Sequence, residues 1–117
     1  MLDQDTAIAF YKGKLGFELL EDKPFGETRW VTMALRNRRD FTLALELATS
    51  AEEKALVGKQ AGSHAFLGLD TSDCVADYKR MKPLGVKFLG EPQSGPWGTG
   101  VQFEDLYGNK FFLSQPS

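Results

Sequence analysis

The chain has 117 residues, of which 42% are hydrophobic and 26% charged, and its formal net charge is −2. This length suits one compact unit, or two half-size modules that share a core. Basic and acidic residues are interspersed, and there is neither an apolar run long enough to span a membrane nor a signal peptide. We therefore expect a cytoplasmic globular protein without a nucleic-acid or membrane partner.

The first half of the chain predicts a helix followed by three strands. Asp3 or Asp5 can cap the helix, Gly16 ends it, and its apolar residues share one face: Ala7, Phe10, Tyr11 and Leu15. "FELLEDKPFG", "TRWVTMAL" and "FTLALELA" predict the strands. In the third strand, alternation predicts an apolar face that packs against a helix: Phe41, Leu43, Leu45 and Leu47.

The second half predicts a short linker helix, then a strand, a helix and three strands. The linker "SAEEKALVG" carries a capping box of Ser50 and Glu53. "SHAFLGLD" predicts a strand, and "TSDCVADYKRMKPLGV" predicts a helix with Val75, Tyr78 and Met81 inward and Cys74 as a packing residue. "KFLGEPQSGPWG" predicts a strand and a loop whose glycines would permit a flexible lid, and "TGVQFEDL" and "NKFFLSQ" predict the last two strands.

The two halves repeat one pattern. "FYKGKLGFELL" and "YKRMKPLGVKFL" both read Tyr-Lys, a spacer, Leu-Gly, one apolar residue and then a strand. We divide the chain into a first module (1–49), a linker helix and loop (50–62) and a second module (63–117). The strand that should precede the first helix is reduced to "ML".

Five motifs cover nearly the whole chain: "DQDTAIAFYKGKLGFELL", "LALELA", "SHAFLGLD", "YKRMKPLGVKFLGEP" and "FEDLYGNKFFLSQP". Their order resembles the glyoxalase/bleomycin-resistance/dioxygenase family, the vicinal-oxygen-chelate superfamily. The resemblance implies an α+β fold of paired βαβββ modules whose curled mixed sheets form a cup, here with the first strand of the first module missing. It also implies a homodimer, as many members of the family are.

The resemblance also implies where a metal would bind. Metal-dependent members use up to four ligands, one on each equivalent strand, and Glu46 and His64 match the middle two positions. The first position falls in the missing strand, and the last corresponds to Phe112, which cannot bind a metal. Because tight binding normally needs about three protein ligands or more, we expect no tightly bound metal, with a divalent metal as the alternative.

Strand alternation assigns further residues to the wall of the implied cup. The candidate ligand-binding residues are Trp30, Thr32, Thr42, Phe66, Trp97, Gln102 and Phe112. Trp97 is the favoured contact because it lies between the glycines of the predicted lid. The aromatic residues of this set have a second interpretation as ordinary core.

The leading functional hypothesis is binding of a small apolar or aromatic molecule, by resemblance to the drug-sequestering branch of the family. The alternative is a metal-dependent glyoxalase-like lyase or extradiol-type dioxygenase that uses Glu46 and His64 as catalytic residues. Without a metal, these two side chains would be an acid–base pair or a polar pair that satisfies itself. A third hypothesis is a scaffold whose exposed sheet edge serves only assembly.

The missing first strand has three explanations: an internal start within a longer protein, a true loss that leaves a groove, or an edge that a second chain fills. An open inner edge would expose a row of backbone donors and acceptors. We therefore predict that a partner chain, or a dimer sharing sheet edges, fills it.

Overall fold

A computed structural model describes residues 1–117, except for the side chain of Arg39. The chain divides into two compact units, Met1–Val57 and Gly58–Ser117. The elements in chain order are α1 Gln4–Gly13, β1 Phe17–Phe25, β2 Thr28–Leu35, β3 Arg38–Ala44, α2 Ala51–Leu56, β4 Leu67–Asp70, α3 Cys74–Met81, β5 Lys87–Phe88, β6 Gln93–Gly95, β7 Gly98–Glu104 and β8 Lys110–Pro116. None of the described helices is long and apolar enough to cross a membrane.

Helix α1 follows its sequence signals closely. The Asp3 carboxylate accepts a hydrogen bond from the Thr6 N–H at 3.1 Å, which satisfies one of the free donors of the first turn. The predicted apolar face is buried throughout: Ala7, Phe10, Tyr11 and Leu15. Gly16 has a positive φ of 80°, a conformation that glycine adopts without steric cost, and the chain passes there into β1.

Strands β1, β2 and β3 form an antiparallel sheet in that order in the first unit. The pairing of β1 with β2 shifts between Leu19 and Glu21, so Leu20 is the extra residue of a β-bulge. Leu19 lies opposite Met33, whereas Glu21 lies opposite Thr32. Because side chains alternate along a strand, the bulge turns Glu21 toward the Thr32 face instead of the Met33 face.

Met1 pairs with the chain that follows β3. Its amino group donates to the Glu46 carbonyl oxygen at 3.3 Å, and its own carbonyl oxygen accepts from the Ala48 N–H at 2.8 Å. Donation to one residue and acceptance from a residue two positions on is the pattern of a parallel bridge. In the second unit the corresponding parallel pairing of β4 with β8 has four residue pairs.

Helix α2 forms as its capping box predicts. The Ser50 hydroxyl accepts from the Glu53 N–H at 3.1 Å, and the Glu53 carboxylate accepts from the Thr49 and Ser50 N–H groups. These bonds from the backbone N–H groups lower the pKa of Glu53. The helix has six residues and buries none of them.

The second unit contains a sheet in the order β4-β8-β7-β5, with β6 paired to β7. Strand β4 is parallel to β8, and the remaining pairs are antiparallel. Phe103 and Phe111, both fully buried, stack with ring centroids 5.1 Å apart at the centre of this core. The second unit therefore has the predicted order of strand, helix and strands, with four strands after α3, β5 to β8, where three were predicted.

Helix α3 begins at Cys74, within the segment "TSDCVADYKRMKPLGV" that predicted it, but it buries a different face from the predicted one. Asp73 caps it, and this phase buries Cys74 and Met81, leaving Val75 40% exposed. The prediction that Val75 faces inward is therefore wrong, and the interpretation of Cys74 as a packing residue is confirmed. Burial raises the pKa of the Cys74 thiol, and the neighbouring Asp77 and Asp73 carboxylates add to the effect.

Three further expectations differ from the structure. The strand predicted over "SHAFLGLD" begins only at Leu67. The loop predicted around Trp97 is the turn of a hairpin, because β6 and β7 pair on either side of it. In the predicted apolar face of β3, Leu45 is buried, but Phe41 and Leu47 are 58% and 44% exposed. Alternation predicts which residues share a face of the strand, but not whether another element packs over all of them.

Candidate ligand-binding site

A groove opens in the first unit where pairing between β2 and β3 ends. The last backbone bond between the two segments runs from the Leu45 N–H to the Val31 carbonyl oxygen at 2.9 Å. Beyond it, the side-chain amide of Gln4 donates to the carbonyl oxygens of Arg29 and Leu45, at 3.0 and 2.9 Å. Gln4 is only 8% exposed, so a buried side chain of α1 takes the place of the next strand-to-strand bond.

The groove has a volume of about 690 Å³, within the usual range for small-molecule sites. Its apolar surface comes from Phe25, Trp30 and Leu47, of which Phe25 is 70% exposed at the β1–β2 turn. The remaining lining residues are polar or charged: Gln4, Lys23, Glu27, Thr28, Arg29, Glu46 and Thr49. Aromatic and aliphatic walls with a few polar groups are typical of ligand sites.

The Glu21 carboxylate holds the indole of Trp30. Oε1 of Glu21 accepts hydrogen bonds from Trp30 Nε1 at 3.2 Å and from the Thr32 hydroxyl at 3.1 Å, and Oε2 lies 2.9 Å from Lys23 Nζ. The hydrogen bond from Lys23, then those from Trp30 and Thr32, lower the pKa of Glu21. The sequence analysis missed Glu21; its only signal is the adjacent pair Leu19-Leu20, which interrupts the alternation of β1.

Arg29 of the same hairpin is held by two carboxylates. Its Nε and Nη2 donate to the two carboxylate oxygens of Asp22 at 2.7 and 2.8 Å, and Nη2 also donates to Asp5 Oδ1 at 2.8 Å. The guanidinium lowers the pKa of Asp22, and both carboxylates raise the pKa of Arg29. This cluster ties α1 to both strands of the hairpin at the mouth of the groove.

Of the residues predicted to line the cup in the first half of the chain, two line the groove and two do not. Trp30 and Glu46 line the groove. Thr32 is 2% exposed and engaged with Glu21, which makes its hydroxyl a support for that carboxylate. Thr42 is exposed on β3 and is not among the groove residues.

In the second unit, Trp97 and Phe112 form an aromatic surface on β7 and β8. Trp97 lies at the turn between β6 and β7, 51% exposed, with its ring centroid 6.0 Å from that of Phe112. Gly100 makes this contact possible, because a Cβ atom there would lie 2.5 Å from Phe112 Cζ and 2.9 Å from Trp97 Cη2. Gln102 is exposed directly opposite Phe112, so both share this face of the sheet.

Phe66 and His64 lie before β4. Phe66 is half-buried, with its ring edge-on to Phe111 at 6.2 Å and its N–H bonded to the Lys110 carbonyl oxygen at 2.6 Å. His64 is exposed in a turn, where its N–H donates to the Ala61 carbonyl oxygen at 3.2 Å. The prediction that His64 projects from a strand is therefore wrong.

The residues present do not fit the metal set that the family resemblance implies. Phe112 offers no donor atom at the fourth position, which leaves Glu46 and His64. Among the described side chains, no group of three or more His, Cys, Asp or Glu residues is placed to hold a metal ion. Whether the protein binds a metal stays a prediction that elemental analysis can test.

Two α+β units, the second a complete module of strand, helix and antiparallel strands, define the paired-βαβββ class of proteins. The chain belongs to the Glyoxalase/Bleomycin resistance protein/Dioxygenase superfamily, whose family model matches residues 2–113. The family and fold class predicted from the sequence are both confirmed.

Three relatives illustrate the range of similarity. An uncharacterised protein from Shewanella frigidimarina (strain NCIMB 400) is 43% identical over 115 residues, which cover 97% of this chain and 85% of that protein. The structure of UcmS2 is similar with a TM-score of 0.86 at 34% identity, covering 97% of this chain and 90% of that one. The structure of TnmS3, an antibiotic binding protein from Streptomyces sp. CB03234, has a TM-score of 0.78 at 35% identity, covering 98% and 88%.

Proposed function

We propose that this protein binds a small apolar or aromatic molecule in the groove of its first unit, against the indole of Trp30. The observation that carries the proposal is the groove itself: about 690 Å³, with Phe25, Trp30 and Leu47 as its apolar surface. The hydrogen bond to Glu21 holds the polar edge of Trp30, which leaves the ring as a pre-oriented contact for a ligand. The similarity to an antibiotic binding protein supports a binding role.

A neutral aromatic probe, 2-naphthylmethanol, tests the proposal. In a ¹H–¹⁵N spectrum the indole N–H resonance of Trp30 should shift and saturate as the probe is added. Trp30→Ala should weaken the probe by ~1–3 kcal/mol in a calorimetric titration, as expected for an aromatic anchor. The matched control is Leu56→Ala, which removes an exposed apolar side chain of the same unit that does not line the groove and should leave the affinity unchanged.

Trp97→Ala tests the aromatic surface of the second unit in the same titration. If the ligand also contacts Trp97, the affinity should fall by ~1–3 kcal/mol. Unchanged affinity would assign Trp97 to its packing against Phe112 and Gly100. A Trp30 indole resonance that does not move on addition of 2-naphthylmethanol would contradict the proposal.

The enzymatic alternative makes a different prediction about metal content. A glyoxalase-like lyase or dioxygenase that uses Glu46 and His64 should carry about one divalent metal per chain. We expect elemental analysis of protein purified without chelator to find no stoichiometric zinc, nickel, iron or manganese. A stoichiometric metal that Glu46→Ala or His64→Ala removes would favour the enzyme.

A further inference from the structure

We propose that the groove selects ligands that carry a positively charged group, an amine or a guanidine, which lies against the carboxylate of Glu46. The inference rests on the proposed function, because it names the chemistry of the molecule that the groove takes. It is based on which charged side chains of the groove already have a partner within the chain.

Both cationic side chains that line the groove are paired within the chain. Lys23 Nζ lies 2.9 Å from Glu21 Oε2. Arg29 donates to Asp22 at 2.7 and 2.8 Å and to Asp5 at 2.8 Å. An anionic ligand would therefore meet cations whose charge is already partly neutralised by carboxylates of the chain.

The two anionic side chains that line the groove are not paired in this way. Within the part of the chain that the structure describes, neither Glu46 nor Glu27 has a hydrogen-bond or ion-pair partner for its carboxylate. The amino group of Met1 donates to the backbone carbonyl oxygen of Glu46 at 3.3 Å, not to its carboxylate. Among the charged side chains that line the groove, those without a partner are therefore negative.

This imbalance matters when a ligand displaces water. A carboxylate that loses hydration without gaining a partner is costly, and its interaction with other charges strengthens as the local dielectric constant falls. A ligand cation beside Glu46 removes that cost, whereas a ligand anion adds like-charge repulsion. Phe25, Trp30 and Leu47 would take the apolar body of the same ligand.

Three probes of one size and different charge test the inference: 2-naphthylmethylamine, 2-naphthylmethanol and 2-naphthoate. We expect the amine to bind about three- to tenfold more tightly than the alcohol at low salt, with the carboxylate weakest, and the advantage to shrink as salt is raised. Glu46→Gln should remove most of the advantage of the amine over the alcohol. Glu52→Gln, which removes an exposed carboxylate of α2 outside the groove, should preserve it.

The outcomes separate this inference from the proposed function. If all three probes move the Trp30 indole resonance with equal affinity, the charge preference is wrong and binding in the groove stands. If no probe moves that resonance, both proposals fail. A preference that survives Glu46→Gln but disappears in Glu27→Gln would overturn the assignment to Glu46.

Discussion

At the scale of single residues, Glu21 organises the candidate site. One carboxylate accepts from Trp30 and Thr32 and pairs with Lys23, so it joins two strands and fixes the only groove residue with an indole. All three partners favour the ionised form of Glu21, which is why its pKa is lowered from the ordinary value of a glutamate. Protonation of Glu21 should therefore change the fluorescence emission of Trp30.

We expect the emission of Trp30 to change with pH as Glu21 is protonated, measured in a Trp97→Phe background. Because the folded-state pKa of Glu21 is lowered, its interactions are intact above the unfolded value and are lost as pH falls through the folded value. The midpoint should therefore lie below 4.5. Glu21→Gln should abolish the transition, and Glu27→Gln should preserve it; a midpoint above 4.5 would contradict the assignment.

At the scale of elements, the hairpin of β6 and β7 depends on two glycines with different constraints. Gly98 has φ of 135°, and a Cβ atom there would lie 2.1 Å from the carbonyl oxygen of Gln115 on the neighbouring strand. At Gly100 the atoms in the way are the tips of the Phe112 and Trp97 rings. Backbone cannot move aside without breaking the sheet, whereas a half-exposed ring can.

Gly98→Ala should accordingly destabilise the protein by about 3 kcal/mol or more, because strain and a backbone clash add. Gly100→Ala should cost about 1–2 kcal/mol and increase the exposure of Trp97. The control is Gly90→Ala, where a Cβ atom meets nothing within 4 Å and the cost should be near zero. Urea denaturation followed by tryptophan emission measures all three, and equal losses at Gly98 and Gly100 would contradict this account.

Local sequence patterns predicted the helix caps but not the β-bulge. Asp3 at the start of α1, and Ser50 with Glu53 at α2, were readable because capping needs only neighbouring residues. The bulge at Leu20 was not, since the pairing that defines it depends on a partner strand. Without the bulge, alternation keeps Glu21 on the wrong face, and the main support of Trp30 is overlooked.

At the scale of the whole molecule, the outer edge of β3 sets an expectation about assembly. The Leu45 N–H points toward β2, so by alternation the backbone groups of Thr42 and Ala44 point away from it. Met1 bridges this side of the chain only at residues 46–48. The exposed side chain of Phe41 lies along the same strand.

We predict that a second copy of the chain pairs with this edge, because an exposed row of unpaired backbone donors and acceptors is a template for strand pairing. Sedimentation at micromolar concentration should show a dimer, with slow amide exchange at Thr42 and Ala44. Phe41→Lys should shift the protein toward monomer, since a charged side chain on an edge strand discourages pairing. A wild-type monomer with fast exchange at both positions would show that the edge stays open.

The sequence by itself determined the order of elements, the repeat and the family, because caps, turn glycines and apolar periodicity act between neighbours in the chain. Leu45, Met81 and the face of α1 were predicted inside and lie inside. Only the tertiary structure decided that Gln4 bridges two separating strands, that Glu21 holds Trp30 and that Phe41 and Leu47 stay exposed. Each of these depends on a residue distant in sequence. The periodicity of a strand or helix predicts which face a side chain lies on, but not which distant residue contacts it.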